Sequence, residues 1–233
     1  MFWESLRGGI IVSCQAIAGN PFYHTGTMPL LAKAAEAGGA VAIRADGAEE
    51  IAAIAGAVSL PIIGIRKTEP SPDRVYITPA FEHAREIAAA GCAVIALDGT
   101  PRPRPDGLSL KELTARIHGE FNLPVMADIS VFEEGVAAGK AGCDIVATTL
   151  AGYTSYSVKT EGPDFELLAK LTATLDVPVI AEGRFWTPED VCKAFALGAF
   201  AVVIGKAITN PMAITRRFVS RLPAPRPQRK VYP

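Results

Sequence analysis

What the 233 residues lack narrows the field first. No apolar run approaches the ~18 residues that a membrane span needs, so no membrane partner is expected. The opening stretch, MFWESLRGGIIVSCQ, has an apolar run too short for a signal peptide and no cleavage pattern, which predicts a cytoplasmic protein. Net charge is −1 and the 23 Lys and Arg residues are scattered, leaving no basic stripe for nucleic acid. Cys14, Cys92, Cys143 and Cys192 form no CxxC and no zinc spacing, so they read as reduced thiols. Of the three histidines, His83 and His118 fall within predicted helices as solvated surface groups, and His24 lies in the loop after the first strand. None stands at a strand end, so no metal cluster is expected. Neither GxGxxG nor GxxxxGK[ST] occurs, so a nucleotide cofactor has no support.

What is present is a large apolar fraction, 49% against 20% charged, enough for one sizeable core. Short apolar runs recur at 9–15, 40–45, 61–65, 93–99, 124–130, 144–150, 178–184 and 201–207. Amphipathic stretches follow them at 27–37, 47–56, 80–90, 109–121, 131–141, 164–175, 187–197 and 211–221. Strands apolar on both faces are those of a covered parallel sheet. Eight strand–helix units in a chain of this length predict an α/β fold, a single closed (β/α)₈ TIM barrel over residues 1–221. Helix starts at Ser109-x-x-Glu112 and Thr187-Pro188-Glu189-Asp190 agree, as do Gly91, Gly142 and Gly198 at helix ends. VYITP (75–79) reads as an extra short strand, and the proline-rich tail 222–233 as a disordered extension.

The polar residues collect at the strand ends, where such a barrel keeps its active site: Ser13, Gln15, Arg44, Arg66, Lys67, Asp98, Asp128, Ser130, Thr148, Thr149, Glu182, Arg184 and Lys206. The turns after strands seven and eight, AEGR and IGKAI, suit a phosphate: Gly183 and Gly205 admit a close backbone approach, and Arg184 and Lys206 add charge. A phosphate grip, a lysine and two carboxylates suit proton transfer at a carbon of a sugar phosphate, needing no cofactor. Arg66 and Lys67 end strand three together, but adjacent strand residues point to opposite faces. Both faces of that strand are apolar, so periodicity does not choose between them. Plainer readings stand beside these. Glu182 pairs with Arg184 or Lys206, Asp128 pairs with Arg44 or Lys67, and Tyr153 and Tyr156 either cover the site or pack on their neighbours.

IVSCQA, MPLLAKAAEAGGAVAIRA, LPIIGIRK, VYITP, IALDGTPRPRPDG, MADIS, GCDIVATTLAGYT, VIAEGR and GAFAVVIGKAITNP run in order across residues 9–211. As a set they resemble the N-acetylmannosamine-6-phosphate 2-epimerases, also described as N-acylglucosamine-6-phosphate 2-epimerases. The resemblance implies a (β/α)₈ barrel that interconverts N-acetylmannosamine 6-phosphate and N-acetylglucosamine 6-phosphate in sialic acid and amino sugar catabolism, without metal or nucleotide. It puts the catalytic lysine on Lys67 and the catalytic glutamate on Glu182. Substrate-contacting positions fall on Gln15, Arg44 and Asp128, and the phosphate-binding glycine turns on Gly183 and Gly205. Members are commonly dimers, which implies a homodimer, and the last helix carries Ile214, Phe218 and Val219 for the barrel or a partner. The chain departs from the pattern at Asn210, where many members carry arginine, and at Lys206, where a small residue is common. Lys206 is expected to compensate for the missing cation. Of the other readings, a pentose-phosphate 3-epimerase would place histidines at strand ends. A silent phosphosugar-binding protein is opposed by the presence of Lys67 and Glu182.

Overall fold

A computed structural model describes residues 2–70 and 73–223. Eight parallel strands close on themselves in chain order: β1 Ile10–Cys14, β2 Ala42–Asp46, β3 Ile62–Ile65, β4 Val94–Asp98, β5 Val125–Asp128, β6 Ile145–Ala147, β7 Val179–Glu182 and β8 Ala201–Ile204. Each unit returns through a helix: α1 Met28–Ala37, α2 Ala48–Ala55, α3 Phe81–Ala89, α4 Leu110–Phe121, α5 Phe132–Lys140, α6 Phe165–Thr174 and α7 Pro188–Ala196. After β8 come a four-residue helix, α8 Lys206–Thr209, and then α9 Pro211–Val219. The predicted (β/α)₈ barrel is the fold.

Alternation along each strand divides the core in two. Ile11, Ile63, Met126, Ile145, Ile180 and Val203 fill the lumen. Their neighbours Val12, Ile62, Val125, Val146, Val179 and Val202 pack outward on the helices. Both faces are buried, which is why each strand reads as an unbroken apolar run. The helix signals behave as their chemistry dictates. Ser109 and Glu112 form a reciprocal capping box on α4, and the Thr187 hydroxyl accepts from the Asp190 amide at the start of α7. Gly91, Gly142 and Gly198 follow their helices at φ of 92°, 89° and 89°.

Three expectations change. The run 201–207 is not one strand: β8 stops at Ile204 and the chain coils into α8. Beyond Ile204 a hydrogen bond from the Thr209 hydroxyl to the Ser13 carbonyl folds the segment back over β1. The run 144–150 is a strand only from Ile145 to Ala147, and the chain enters a turn at Thr149. VYITP makes an isolated antiparallel bridge, Lys67 with Ile77, rather than a strand. Thr68 N–H donates to the Tyr76 carbonyl and Thr78 N–H to that of Arg66, so this segment lies back along the end of β3. A 3₁₀-helix at Phe2–Leu6 was not expected, and its Leu6 is fully buried in the lumen cluster. Of the expected disordered tail, 224–233 lie outside the described residues.

Candidate active site

Closure of the barrel decides between Arg66 and Lys67. Ile63 and Ile65 face the lumen, and two residues further on Lys67 continues that row. Arg66 points to the helix side and reaches Glu86 of α3 at 3.4 Å. Lys67 Nζ donates to Gln15 Oε1 at 2.5 Å, and Gln15 Nε2 donates to Ser13 Oγ at 2.8 Å. The Lys67 backbone N–H donates to Asp46 Oδ1 at 2.9 Å. Burial holds the Lys67 pKa below its ordinary value; Asp46 opposes the shift and Arg44 reinforces it.

Arg44, from β2, is 1% exposed and reaches across the lumen. Its Nη1 donates to Asp128 Oδ1 at 3.0 Å and to Glu182 Oε2 at 2.7 Å, and its Nη2 to Asp128 Oδ2 at 2.5 Å. Burial works against the guanidinium charge, but Asp128 and Glu182 outweigh it and hold the Arg44 pKa above its free value. The Glu182 pKa is raised as well, which for a carboxyl favours the neutral form. Burial raises its pKa, Arg44 opposes this, and Asp128 adds to it. The Thr149 hydroxyl sits between the carboxylates, 2.6 Å from Asp128 Oδ1 and 3.1 Å from Glu182 Oε2.

Above this cluster opens a cavity of about 510 Å³, a size common for small-molecule sites. Gln15, Arg44, Lys67, Glu182, Gly183, Arg184, Gly205 and Lys206 all line it. Asp128 does not: it is fully buried and reaches the site through Arg44 and Thr149. Of the plainer pairings, Asp128 does bind Arg44, while Glu182 binds Arg44 rather than Arg184 or Lys206. Gly183 takes φ 117°, a conformation that side chains oppose. Arg184 turns its guanidinium to the Ala151 carbonyl, 2.8 Å away, beneath the Tyr153 ring. Lys206 is exposed at the start of α8. Asn210 caps α9, its Oδ1 accepting from the Ala213 amide at 2.9 Å.

Thr149, Tyr76 and Trp186 also line the cavity. The inward row of each strand is the signal that reaches Thr149, since it stands two residues beyond the lumen-facing Ala147. Asp98 belongs elsewhere: it is fully buried, paired with Arg102 at 2.7 Å, and bonded to Thr100. Tyr156 donates to Glu134 at 2.6 Å and packs on its neighbours, whereas Tyr153 lines the cavity. His24 is an exposed loop residue against Tyr23. His118 is not simply solvated, for its Nε2 lies 2.8 Å from Asp144 Oδ2. No group of three or more His, Cys, Asp and Glu among the described residues is placed to hold a metal ion. No described helix is long and apolar enough to cross a membrane.

A half-buried lysine with a lowered pKa, a carboxyl with a raised pKa and a fully buried arginine, meeting at the mouth of a parallel barrel, define a (β/α)₈-barrel site equipped for proton transfer. The family model described as "Putative N-acetylmannosamine-6-phosphate epimerase" matches residues 28–224. Two relatives carry the name "Putative N-acetylmannosamine-6-phosphate 2-epimerase". One, from Caldanaerobacter subterraneus subsp. tengcongensis, is 50% identical over 93% of this chain and 92% of its own length. The other, from Cutibacterium acnes, is 50% identical over 92% of this chain and 93% of its own. A solved structure of the N-acetylmannosamine-6-phosphate 2-epimerase from Clostridium perfringens is 45% identical, with a TM-score of 0.92 over 95% of this chain and 96% of that one. The chain belongs to the N-acetylmannosamine-6-phosphate epimerase family.

Proposed function

We propose that the protein interconverts N-acetylmannosamine 6-phosphate and N-acetylglucosamine 6-phosphate by removing and returning the C2 proton of the ring-opened sugar. Family membership supports the substrate. The observation that carries the chemistry is the half-buried Lys67 side chain, its pKa lowered by desolvation, facing the same cavity as Glu182. The C2 proton is acidic only when C1 is an aldehyde, so the ring opens first. Glu182 shuttles the proton that opens and closes it. Its raised pKa suits a group that must both hold and release a proton. Lys67 takes the C2 proton, the electron pair delocalises into an enolate, and a proton returns to C2 on the other face. Gln15 orients Lys67 and the sugar, and Arg44 carries charge stabilisation to the cavity wall with Asp128 fixing it from below. Gly183 and Gly205 offer backbone N–H groups to the phosphate, with Lys206 and Arg184 as the cations lining that side.

The role proposed here needs no cofactor and fits a cytoplasmic enzyme of sialic acid and amino sugar catabolism. Residues 1–221 act as one catalytic barrel domain, with 222–233 appended. The test is direct. N-acetylmannosamine 6-phosphate is incubated with the protein in D₂O and C2 is followed by NMR. Appearance of N-acetylglucosamine 6-phosphate with deuterium at C2 is expected. Conversion that keeps the original hydrogen would exclude proton exchange at that carbon.

A homodimer is part of the same reading. No residue of α9 is buried, and its Phe218 is 73% exposed. Val219 is exposed next to it in the chain, and Ile208 of α8 is exposed at an apolar groove lined by Leu31, Val191 and Ile204. Apolar surface of this kind marks an association face. Light scattering is expected to give twice the chain mass, and Phe218→Asp to shift the species toward the monomer. A monomeric wild-type protein at working concentration removes this part of the proposal.

A further inference from the structure

Thr149 has no task in the chemistry above, yet its hydroxyl occupies the middle of the charge cluster. Oγ1 lies 2.6 Å from Asp128 Oδ1 and 3.1 Å from Glu182 Oε2. A hydroxyl carries one proton, so it donates to one carboxylate at a time. The shorter contact is with Asp128. If neither carboxyl is protonated, the 3.1 Å contact sets lone pair against lone pair. One proton on Glu182 turns that contact into a hydrogen bond, and the row reads O–H···O–H···O. Arg44 Nη1 reaches all three groups, at 3.0 Å from Asp128, 2.7 Å from Glu182 and 3.3 Å from Thr149, and keeps them in register. The other charged or titratable groups facing the row are Lys67 from the end of β3 and Tyr76 from the segment that follows it, with Arg184 and Lys206 on the cavity wall.

We propose that Thr149 is a positioning residue through which Glu182 and Asp128 share a single proton. In one state Glu182 donates to Thr149 and Thr149 donates to Asp128. In the other, each proton has moved one step. The Glu182 O–H bond breaks as Thr149 Oγ1 gains that proton, and the original Thr149 O–H bond breaks as Asp128 Oδ1–H forms. No proton enters or leaves the cluster. Glu182 opens onto the cavity, whereas Asp128 is fully buried. The shared proton therefore rests either at the cavity wall or out of the substrate's reach. With its proton held on Asp128, Glu182 is free to accept one from a sugar hydroxyl. Burial, together with the neighbouring Asp128 charge, favours the protonated form of Glu182, whereas a Thr149 hydroxyl donating to Glu182 would oppose that form. The inference builds on Glu182 as the proton shuttle.

The test reads the free protein and needs no substrate, so absence of sugar turnover would leave its result intact. Protein labelled with ¹³C-carboxyl glutamate is titrated by NMR, the Glu182 signal being assigned by its loss in Glu182→Gln. Wild type is compared with Thr149→Val and Thr149→Ser. A hydroxyl that accepts from protonated Glu182 stabilises the protonated form. Its removal in Thr149→Val is therefore expected to lower the Glu182 midpoint by roughly one pH unit. Thr149→Ser keeps the wild-type midpoint. A hydroxyl that merely donates to Glu182 predicts the reverse, so an upward shift in Thr149→Val, or none, overturns the proposal. If the valine variant fails to fold, Thr149→Ala removes the same hydroxyl and is read by the same sign.

Discussion

Lys67→Ala leaves N-acetylmannosamine 6-phosphate unconverted and its C2 hydrogen unexchanged in D₂O, with kcat lower by at least about 10²–10⁴-fold. The size follows from the position of the amine. Lys67 Nζ is held by the neutral Gln15 amide rather than by a carboxylate, and burial lowers its pKa, so a larger share of it is unprotonated at neutral pH than of a surface lysine. Alanine removes the proposed base and severs no ion pair among the described contacts, so the variant is expected to fold and to melt close to wild type. Conversion that persists in Lys67→Ala would move proton abstraction to another group. The pH dependence has a fixed sign. Protonated Lys67 cannot accept the C2 proton, so kcat/KM falls as pH drops through the lowered lysine pKa.

Arg44→Met costs stability as well as activity. Arg44 is the cation that both Asp128 and Glu182 bind, and removing it leaves two carboxyl groups facing each other in the barrel. Breaking a buried pair in this way typically costs about 3–5 kcal/mol. For a domain of this size that is a fall in Tm of roughly 6–20 °C. Glu182 already has a raised pKa, and losing Arg44 removes the contribution that opposes the rise. A group whose folded pKa lies above its unfolded value favours the fold below the unfolded pKa and loses that advantage as pH rises through the folded pKa. The deficit of Arg44→Met is therefore expected to be largest at neutral and alkaline pH and to narrow toward acid. Thermal melts of both proteins between pH 4 and pH 8 check it. A deficit independent of pH would mean that lost packing, not unpaired charge, is the cause. Arg44→Lys does not restore the wild type, because an ammonium cannot bind Asp128 through two parallel N–H donors.

Much of this molecule is local and therefore legible in the chain. The strand runs are apolar on both faces because each strand is covered by lumen and helices alike. Ser109 with Glu112, and Thr187 with Pro188, mark helix starts because their atoms serve the first free amides. Gln15, Arg44, Lys67, Glu182 and the two glycine turns stand out because charge and glycine break runs of Ile, Val and Ala. The misses share a cause as well. The run 201–207 has the composition of a strand throughout, and the tertiary bond from Thr209 to Ser13 turns its end into a helix. Tyr153 and Tyr156 look alike in GYTSYS, yet one lines the cavity and the other is held by Glu134.

The amino-acid sequence by itself determined the barrel, its eight units, and the mouth at which ionisable groups gather, since each of these rests on periods of two or 3.6 residues and on caps read within a few positions. The tertiary structure decided what those groups do to one another. Arg44 meets Asp128 across 84 residues of chain and Glu182 across 138, distances that no local pattern encodes. Closing β8 onto β1 fixed the inward row, and with it Lys67 inside, Arg66 outside, Asp128 beneath the cavity, and Thr149 between two carboxyl groups.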